Sequence, residues 1–326
     1  MNYIIDEKLM LKIGDISQSV RIRSCDPSSP LLLFLHGGPG VCDRHWVLRD
    51  QSSLAQVATM VCWDQRGAGL SWSKDLKSED MTVSRFVEDA HELIAYLKKR
   101  FEKTKVYVVG HSWGTALGTL LAQKYPEDVA VYIGMGQFVN GPENEDISYD
   151  FVLEEAKKRN DKKALQDLDK IGRPINGLYR SLDDLMVQRN LMTKYGGEDY
   201  GENDGIIKSM LIPLIKSQEY SLPDLWKYYK GTFLNLESMW NEVVGLRFDE
   251  TVKELKMPVY LTEGRHDQNT PIPIAQRWFD QLKAPYKEWI WFEKSAHSPI
   301  KNEPELWGQT VKQIVLKEEV NNSTSI

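Results

Sequence analysis

The sequence predicts an α/β fold: a mostly parallel central sheet flanked by helices, with a helical segment inserted into it. Three observations carry that expectation. Over residues 1–136, short apolar runs alternate with segments of helical periodicity, the pattern of βαβ units in a parallel sheet. Between 137 and 250 the alternation stops, and about 114 residues read as polar helix and loop without a convincing buried strand. From 251 to 326 the strand and helix pattern resumes. The expected organisation is one α/β core built from 1–136 and 251–326, carrying a helical cap at 137–250.

In chain order, residues 1–25 suggest a β-hairpin turning at Gly14-Asp15, a pair suited to the tight turns of hairpins. "PLLLFLHG", from Pro30 to Gly37, and "ATMVCWD", ending at Asp64, read as buried strands. In "TVSRFVEDAHELIAYLKKRF", Phe86, Ala90, Leu93, Ile94 and Leu97 recur at helical intervals. Lys105 to Val109 is again strand-like. "TALGTLLAQKY" then puts Leu117, Leu120 and Leu121 on one helical face before Pro126 stops the pattern. "VAVYIG" follows as a strand. After the insertion come "MPVYLTEG", a strand, "PIAQRWFDQLK", a helix, and "YKEWIWFE", a strand. No internal repeat or low-complexity tract interrupts this order.

Composition narrows the function. A chain of 326 residues that is 41% hydrophobic can bury a large core. Its net charge of −6 and lack of a basic patch argue against nucleic acid as a partner. The start "MNYIIDEKLMLKIG" lacks the basic and apolar regions of a secretory signal, and no stretch reaches the ~18 apolar residues of a membrane span. Cys25, Cys42 and Cys62 are odd in number and fit no disulfide framework or CxxC pair, so they are expected to be reduced thiols. A cytoplasmic protein acting on a small molecule or short peptide, with no membrane partner, is expected; the oligomeric state stays open.

The chemistry centres on "VGHSWGTALG", Val109 to Gly118. G-x-S-x-G carries a nucleophile where it joins a strand to a helix, because the sharp turn lifts the serine oxygen above the sheet edge. Both flanks fit, and a side chain at Gly110 or Gly114 would collide across so tight a turn. Ser112 is therefore the candidate nucleophile. A serine hydroxyl needs a histidine to take its proton and an acid to orient that histidine. In the α/β-hydrolase order these follow as Ser, Asp or Glu, His on loops after core strands. Asp267 in "LTEGRHDQNTP" and His297 in "WFEKSAHSPIKNEP" occupy those places. Among the six histidines, His91 sits mid-helix without a second histidine at zinc-site spacing, His45 lies in a helix-like stretch, His266 adjoins the acid, and His36 and His111 belong to turns. The plainer reading of Asp267 is a turn or cap carboxylate. "HGGPG", His36 to Gly40, follows the first parallel strand, where such enzymes place an oxyanion donor. Gly38 N–H and Trp113 N–H are the candidates, with Gly37 and His111 beside the substrate. The mechanism needs no cofactor, and no histidine and cysteine spacing suggests a metal.

Together "HGGPG", "WDQRGAGLS" (Trp63 to Ser71), "GHSWG" and "GRHDQNTP", with weaker support from "SAHSPIKNEP", resemble the proline iminopeptidases and their relatives among the serine α/β-hydrolases. The resemblance covers about residues 30–136 and 257–305. It implies a Ser112, His297, Asp267 triad and an acyl-enzyme route to hydrolysis. It leaves "DQRGAGLS" as a structural turn in which Asp64 and Arg66 are candidates to pair. The residue before the nucleophile is His111, where the iminopeptidase motif has glycine. The family implies cap glutamates that bind the substrate's α-amino group, but none can be assigned by motif. The cap carries 21 acidic against 15 basic residues, and Glu198, Glu202, Glu237 and Glu242 are the acids to test. An aminopeptidase is the expected activity. A carboxylesterase or lactonase with the same triad, and a silent binding protein on this fold, are the alternatives.

Overall fold

The computed structural model describes residues 2–201 and 212–324. The hairpin forms as expected from β1 (Ile5–Ile13) and β2 (Ile16–Ser24), paired antiparallel. Gly14 and Asp15 both take positive φ, +55° and +67°, which matches the strands' twist. Alternate β1 side chains are exposed, as befits an edge strand. The remaining strands are β3 (Leu31–Leu35), β4 (Thr59–Trp63), β5 (Val106–His111), β6 (Val129–Met135), β7 (Val259–Gly264) and β8 (Lys287–Phe292). Among the described residues they make one eight-stranded sheet in the order β1-β2-β4-β3-β5-β6-β7-β8. β2 meets β4 antiparallel, and every pairing from β4 onward is parallel.

Successive residues of a strand point to opposite faces, and here both faces are covered. Leu31, Leu33 and Leu35 of β3 join one apolar cluster; Leu32 and Phe34 join the other. On the first face lie α2 (Val83–Phe101), α3 (Trp113–Lys124) and α10 (Ile272–Gln281), contributing Phe86, Leu117 and Trp278. On the second lie α1 (Arg44–Asp50) and α12 (Pro304–Thr324), contributing Val47 and Trp307. The short α11 (Pro299–Asn302) precedes α12. None of the described helices is long and apolar enough to cross a membrane, and Cys25, Cys42 and Cys62 are free thiols.

Between β6 and β7 the described chain is helical: α4 (Gly141–Lys158), α5 (Lys162–Ile171), α6 (Leu182–Lys194), α7 (Ile212–Lys216), α8 (Leu222–Val244) and α9 (Phe248–Thr251). α4, α5 and α6 share an apolar cluster of their own that includes Val152, Leu168 and Met192. α8 instead lies across the loops at the C-terminal ends of β3 and β4. Tyr228 Oη donates to the Cys42 carbonyl at 2.8 Å, and Thr232 Oγ1 to that of Gly40 at 2.9 Å. Gly231 presses its backbone onto the Gly67 carbonyl, so closely that a Cβ would overlap that oxygen.

Asp64 and Arg66 do not pair. Asp64 turns toward α1, where Arg44 Nη1 stands 3.3 Å away and Tyr220 Oη donates at 2.9 Å. Arg66 extends toward the opposite face, donating to Asp89 Oδ2 of α2 at 2.8 Å and to the Gly14 carbonyl at 2.7 Å. Two residues apart at a strand end, the side chains diverge to helices on opposite sides of the sheet, so each buried charge finds its own partner. Glu219, also buried, lies among Lys8, Arg21, Arg23 and Arg44 and ties the chain before α8 to β2.

Gly231→Ala tests the approach of α8. In a free helix interior the change stabilises by about 1 kcal/mol; against the Gly67 carbonyl it is expected to destabilise by about 1–3 kcal/mol, a reversal of sign that denaturant unfolding reads directly.

Candidate active site

Ser112 sits on the turn from β5 into α3 at φ +54°, ψ −120°, a conformation an L-residue holds only where its surroundings impose it. Its N–H donates to the Met135 carbonyl at 3.0 Å, and its own carbonyl accepts the Thr115 N–H at 2.7 Å. The glycines allow this turn. A Cβ at Gly110 would come 2.5 Å from the Gly114 carbonyl oxygen, and one at Gly114 would overlap the Leu35 carbonyl oxygen.

Asp267 and His297, the candidate acid and base, lie together on the loops after β7 and β8. Asp267 Oδ2 and His297 Nδ1 stand 2.9 Å apart, and both residues are buried. The carboxylate also accepts the Asn269 N–H at 2.8 Å, the Thr270 N–H at 2.9 Å and the Thr270 hydroxyl at 2.7 Å. Asp267 is thus a turn carboxylate as well as the histidine's partner, and the turn bonds aim it. An acceptor at Nδ1 leaves Nε2 as the working nitrogen. Nε2 is buried and makes no hydrogen bond, so the link to Ser112 Oγ is not formed. Ser112 is nonetheless adjacent: its neighbour His111 places its ring 5.1 Å from that of His297. The Met135 carbonyl that holds the serine N–H precedes Gly136, where a Cβ would lie 2.8 Å from the His297 ring.

The glycine loop after β3 faces the nucleophile. A Cβ on Gly37 would come 3.2 Å from that of Ser112 and 3.3 Å from the His111 carbonyl oxygen. Gly38 has φ +113°, open to glycine alone. His111, buried, reaches Ser298 Oγ with Nε2 at 3.1 Å and stands 3.8 Å from Asp43 Oδ2. It therefore joins the nucleophile turn to the residue after His297 and has little surface left to offer.

Of the singled-out glutamates among the described residues, Glu198, Glu237 and Glu242, only Glu198 is brought to this centre. Its carbonyl accepts the His297 N–H at 3.1 Å, and its carboxylate accepts from Asn269 Nδ2 at 2.5 Å. Glu242 caps α2 by accepting the Val83 N–H at 2.9 Å, Glu237 is exposed, and Glu202 lies outside the described residues. Sequence reading missed Glu145. It is buried on α4, with Oε1 held by Arg189 Nη2 at 2.5 Å and Oε2 unpartnered. Its neighbour Asn144 donates to the Asn269 carbonyl at 2.7 Å, and Ser148 to that of Gln268 at 2.6 Å, docking α4 on the acid loop. No motif marks these residues; an acid one helical turn before a serine is common on any helix surface. Among the described residues, no group of three or more His, Cys, Asp or Glu is placed to hold a metal.

Burial opposes charge on His297, but Asp267, then Glu198 and Glu263, outweigh it and push the imidazole up to about 9 from an ordinary 6.5. Glu263, at the end of β7, accepts the Gln137 N–H at 3.1 Å, and burial followed by the charge of Asp267 pushes its carboxyl well up. Because the folded value of His297 lies above the ordinary 6.5, this interaction stabilises the fold fully below that pH, and the contribution is lost as pH rises through about 9. NMR titration of the His297 ring is expected to show a value well above 6.5, lowered by Glu198→Gln. An unperturbed value would remove Asp267 and Glu198 as its partners.

Comparison with known proteins agrees with this architecture. The profile of the α/β hydrolase fold family matches residues 30–304. A protein of Bacillus subtilis (strain 168) bearing the name "Probable aminopeptidase YbaC" is 32% identical over 305 residues, covering 93% of this chain and 94% of its own. A proline iminopeptidase of Heyndrickxia coagulans is 27% identical over 286 residues, covering 84% and 86%. Among solved structures, VinJ superposes with a TM-score of 0.72 at 16% identity, covering 95% of this chain and 98% of its own. The proline iminopeptidase of Mycobacterium smegmatis gives 0.65 at 16%, covering 97% and 100%. The strand order thus agrees with an independent match over most of the length: the chain belongs to the α/β-hydrolase family.

Proposed function

We propose that this protein is a serine aminopeptidase of the proline-iminopeptidase type, releasing an N-terminal proline or other small residue from short peptides. The observation that carries the reading is the buried Asp267–His297 pair beside a serine held at positive φ. In this mechanism His297 Nε2 takes the Ser112 proton as Oγ bonds to the scissile carbonyl carbon. The carbonyl oxygen becomes an oxyanion, accepted by the N–H groups of Gly38 and Trp113. As the tetrahedral adduct collapses, the imidazolium returns its proton to the departing amine and leaves an acyl-enzyme on Ser112. Water, deprotonated by the same nitrogen, then releases the acid and restores the hydroxyl. Asp267 orients the ring and offsets its charge.

The choice of an exopeptidase rests on the acids nearby. A substrate with a free N-terminus brings an ammonium into a buried site, where an unpaired charge is costly. Glu198 lies against the histidine loop, and Arg189 responds to the charges of both Glu145 and Glu198. Two carboxylates against one guanidinium leave one negative charge for one ammonium. We assign that pairing to Glu198, with α4–α8 acting as a cap over residues 137–250 that closes the amino end of the pocket. Relatives named as aminopeptidase and proline iminopeptidase support the choice of an exopeptidase.

The test compares prolyl and alanyl p-nitroanilides with their N-acetyl forms and with p-nitrophenyl esters. Ser112→Ala is expected to stay folded and lose activity by about 10⁵-fold or more; retained turnover would overturn the nucleophile. N-acetylation is expected to cost about 10²–10³-fold, and Glu198→Gln to raise KM for the free amine far more than for an ester. Turnover of esters alone would make the protein a carboxylesterase on the same triad.

A further inference from the structure

We propose that Gln65 is a positioning residue that spans the two arms of the oxyanion hole, its side-chain amide donating to the His36 carbonyl on one arm and accepting from the Trp113 indole on the other. The inference rests on the serine-hydrolase reading above, which places the two oxyanion donors at Gly38 and Trp113.

The contacts form a closed set. Gln65 follows β4 by two residues and is fully buried. Its Nε2 donates to the His36 carbonyl at 3.0 Å, and its Oε1 accepts from Trp113 Nε1 at 2.9 Å. Its backbone N–H donates to His36 Nε2 at 3.1 Å. That bond requires a lone pair on Nε2, and burial lowers the His36 pKa, which keeps the ring neutral. The ring proton then sits on Nδ1, which donates to the Gly37 carbonyl at 2.9 Å. The same carbonyl accepts the Val41 N–H at 3.1 Å.

A peptide unit is planar, so fixing the Gly37 carbonyl also fixes the direction of the Gly38 N–H at the other end of that unit. Gln65 thus bears on the aim of one proposed donor twice over: its backbone N–H holds the His36 ring that reaches the Gly37 carbonyl, and its side-chain amide holds the His36 carbonyl one peptide unit earlier on the same arm. Through the indole it ties down the side chain of the residue that supplies the other. Trp113 is also braced by Phe86, edge-on at 5.9 Å, but the Gln65 contact joins its side chain directly to the opposing arm.

The bridge needs an amide. Both contacts use one planar group carrying a donor and an acceptor. A glutamate would set an oxygen against the His36 carbonyl, and a methionine would leave both arms unbridged. Oxyanion donors act by standing in place before charge develops, so a loosened arm weakens the transition state more than substrate binding.

The experiment measures p-nitrophenyl acetate hydrolysis and inhibition by phenylboronic acid, which forms a tetrahedral adduct on an active serine. The variants are Gln65→Met, Gln65→Glu, Trp113→Phe and the double variant Gln65→Met/Trp113→Phe, with fluorophosphonate labelling as the check on Ser112. Each single variant is expected to lower kcat by about 10²-fold with KM changed less than about threefold, and to weaken phenylboronic acid by a similar factor. The double variant is expected to be little worse than either single one, since both cut the same tether. A folded Gln65→Met protein with wild-type kcat, equal changes in kcat and KM, or additive losses would overturn the proposal. If Gln65→Met does not fold, Gln65→Glu, which keeps the acceptor, and Trp113→Phe, which keeps Gln65, decide it by the same split. Wild-type protein unlabelled at Ser112 would overturn the serine-hydrolase reading and this proposal with it. Labelled wild type with unaffected variants would overturn this proposal alone.

Discussion

The close approach of α3 to the C-terminal end of β3 is the constraint on which the site depends. Gly114 lies so near the Leu35 carbonyl that any side chain there would displace one element from the other. That contact lets Ser112 sit at the tip of the β5–α3 turn in a backbone conformation that ordinary residues avoid. Parallel pairing of β3 with β5 sets the same two strand ends side by side. The glycine loop after β3 and the serine turn after β5 therefore face one another because of sheet topology, and the loops after β7 and β8 arrive at the same edge for the same reason.

Charge at this edge is managed by pairing in a dry interior. Asp267, Glu263 and His297 are all buried; the imidazole offsets the charge of Asp267, while burial favours the neutral form of Glu263. Turn N–H groups hold Asp267, and the Gln137 N–H holds Glu263. Away from the catalytic edge the same rule organises Arg44 with Asp64 and Arg66 with Asp89, on opposite faces of the sheet. The "DQRGAGLS" turn sends Asp64 to one side, Arg66 to the other and Gln65 between them to the oxyanion arms. Its sequence reads as a structural turn, but Gln65, its second residue, touches both the His36 carbonyl and the Trp113 indole.

The helices between β6 and β7 are joined to the core in two ways. α4 docks through Asn144 and Ser148 on the acid loop, which carries Glu145 toward that loop, and Glu198, beyond α6, separately accepts the His297 N–H. α8 clasps the glycine loop through Tyr228 and Thr232. Both attachments use as acceptors the backbone carbonyls of loops that carry candidate site residues.

The sequence by itself determined the order of strands and helices and the hairpin, and it marked the glycine-flanked serine turn and the candidate acid and histidine. These are local or order-dependent features: side-chain periodicity, glycine at tight turns and the succession of loops after strands all survive in one dimension. Tertiary structure alone decided the partners. Asp64 meets Arg44 and not Arg66, because the turn after β4 no longer keeps the strand's alternation and carries the two side chains to opposite faces. Glu198 reaches the histidine while Glu242 caps α2; Glu145 and Gln65 acquire their places only when α4 and the turn after β4 close on loops distant in the chain. A carboxylate or an amide has no local signature of what it will meet, since that depends on contacts between residues far apart in sequence, which the packing of the sheet and its helices creates.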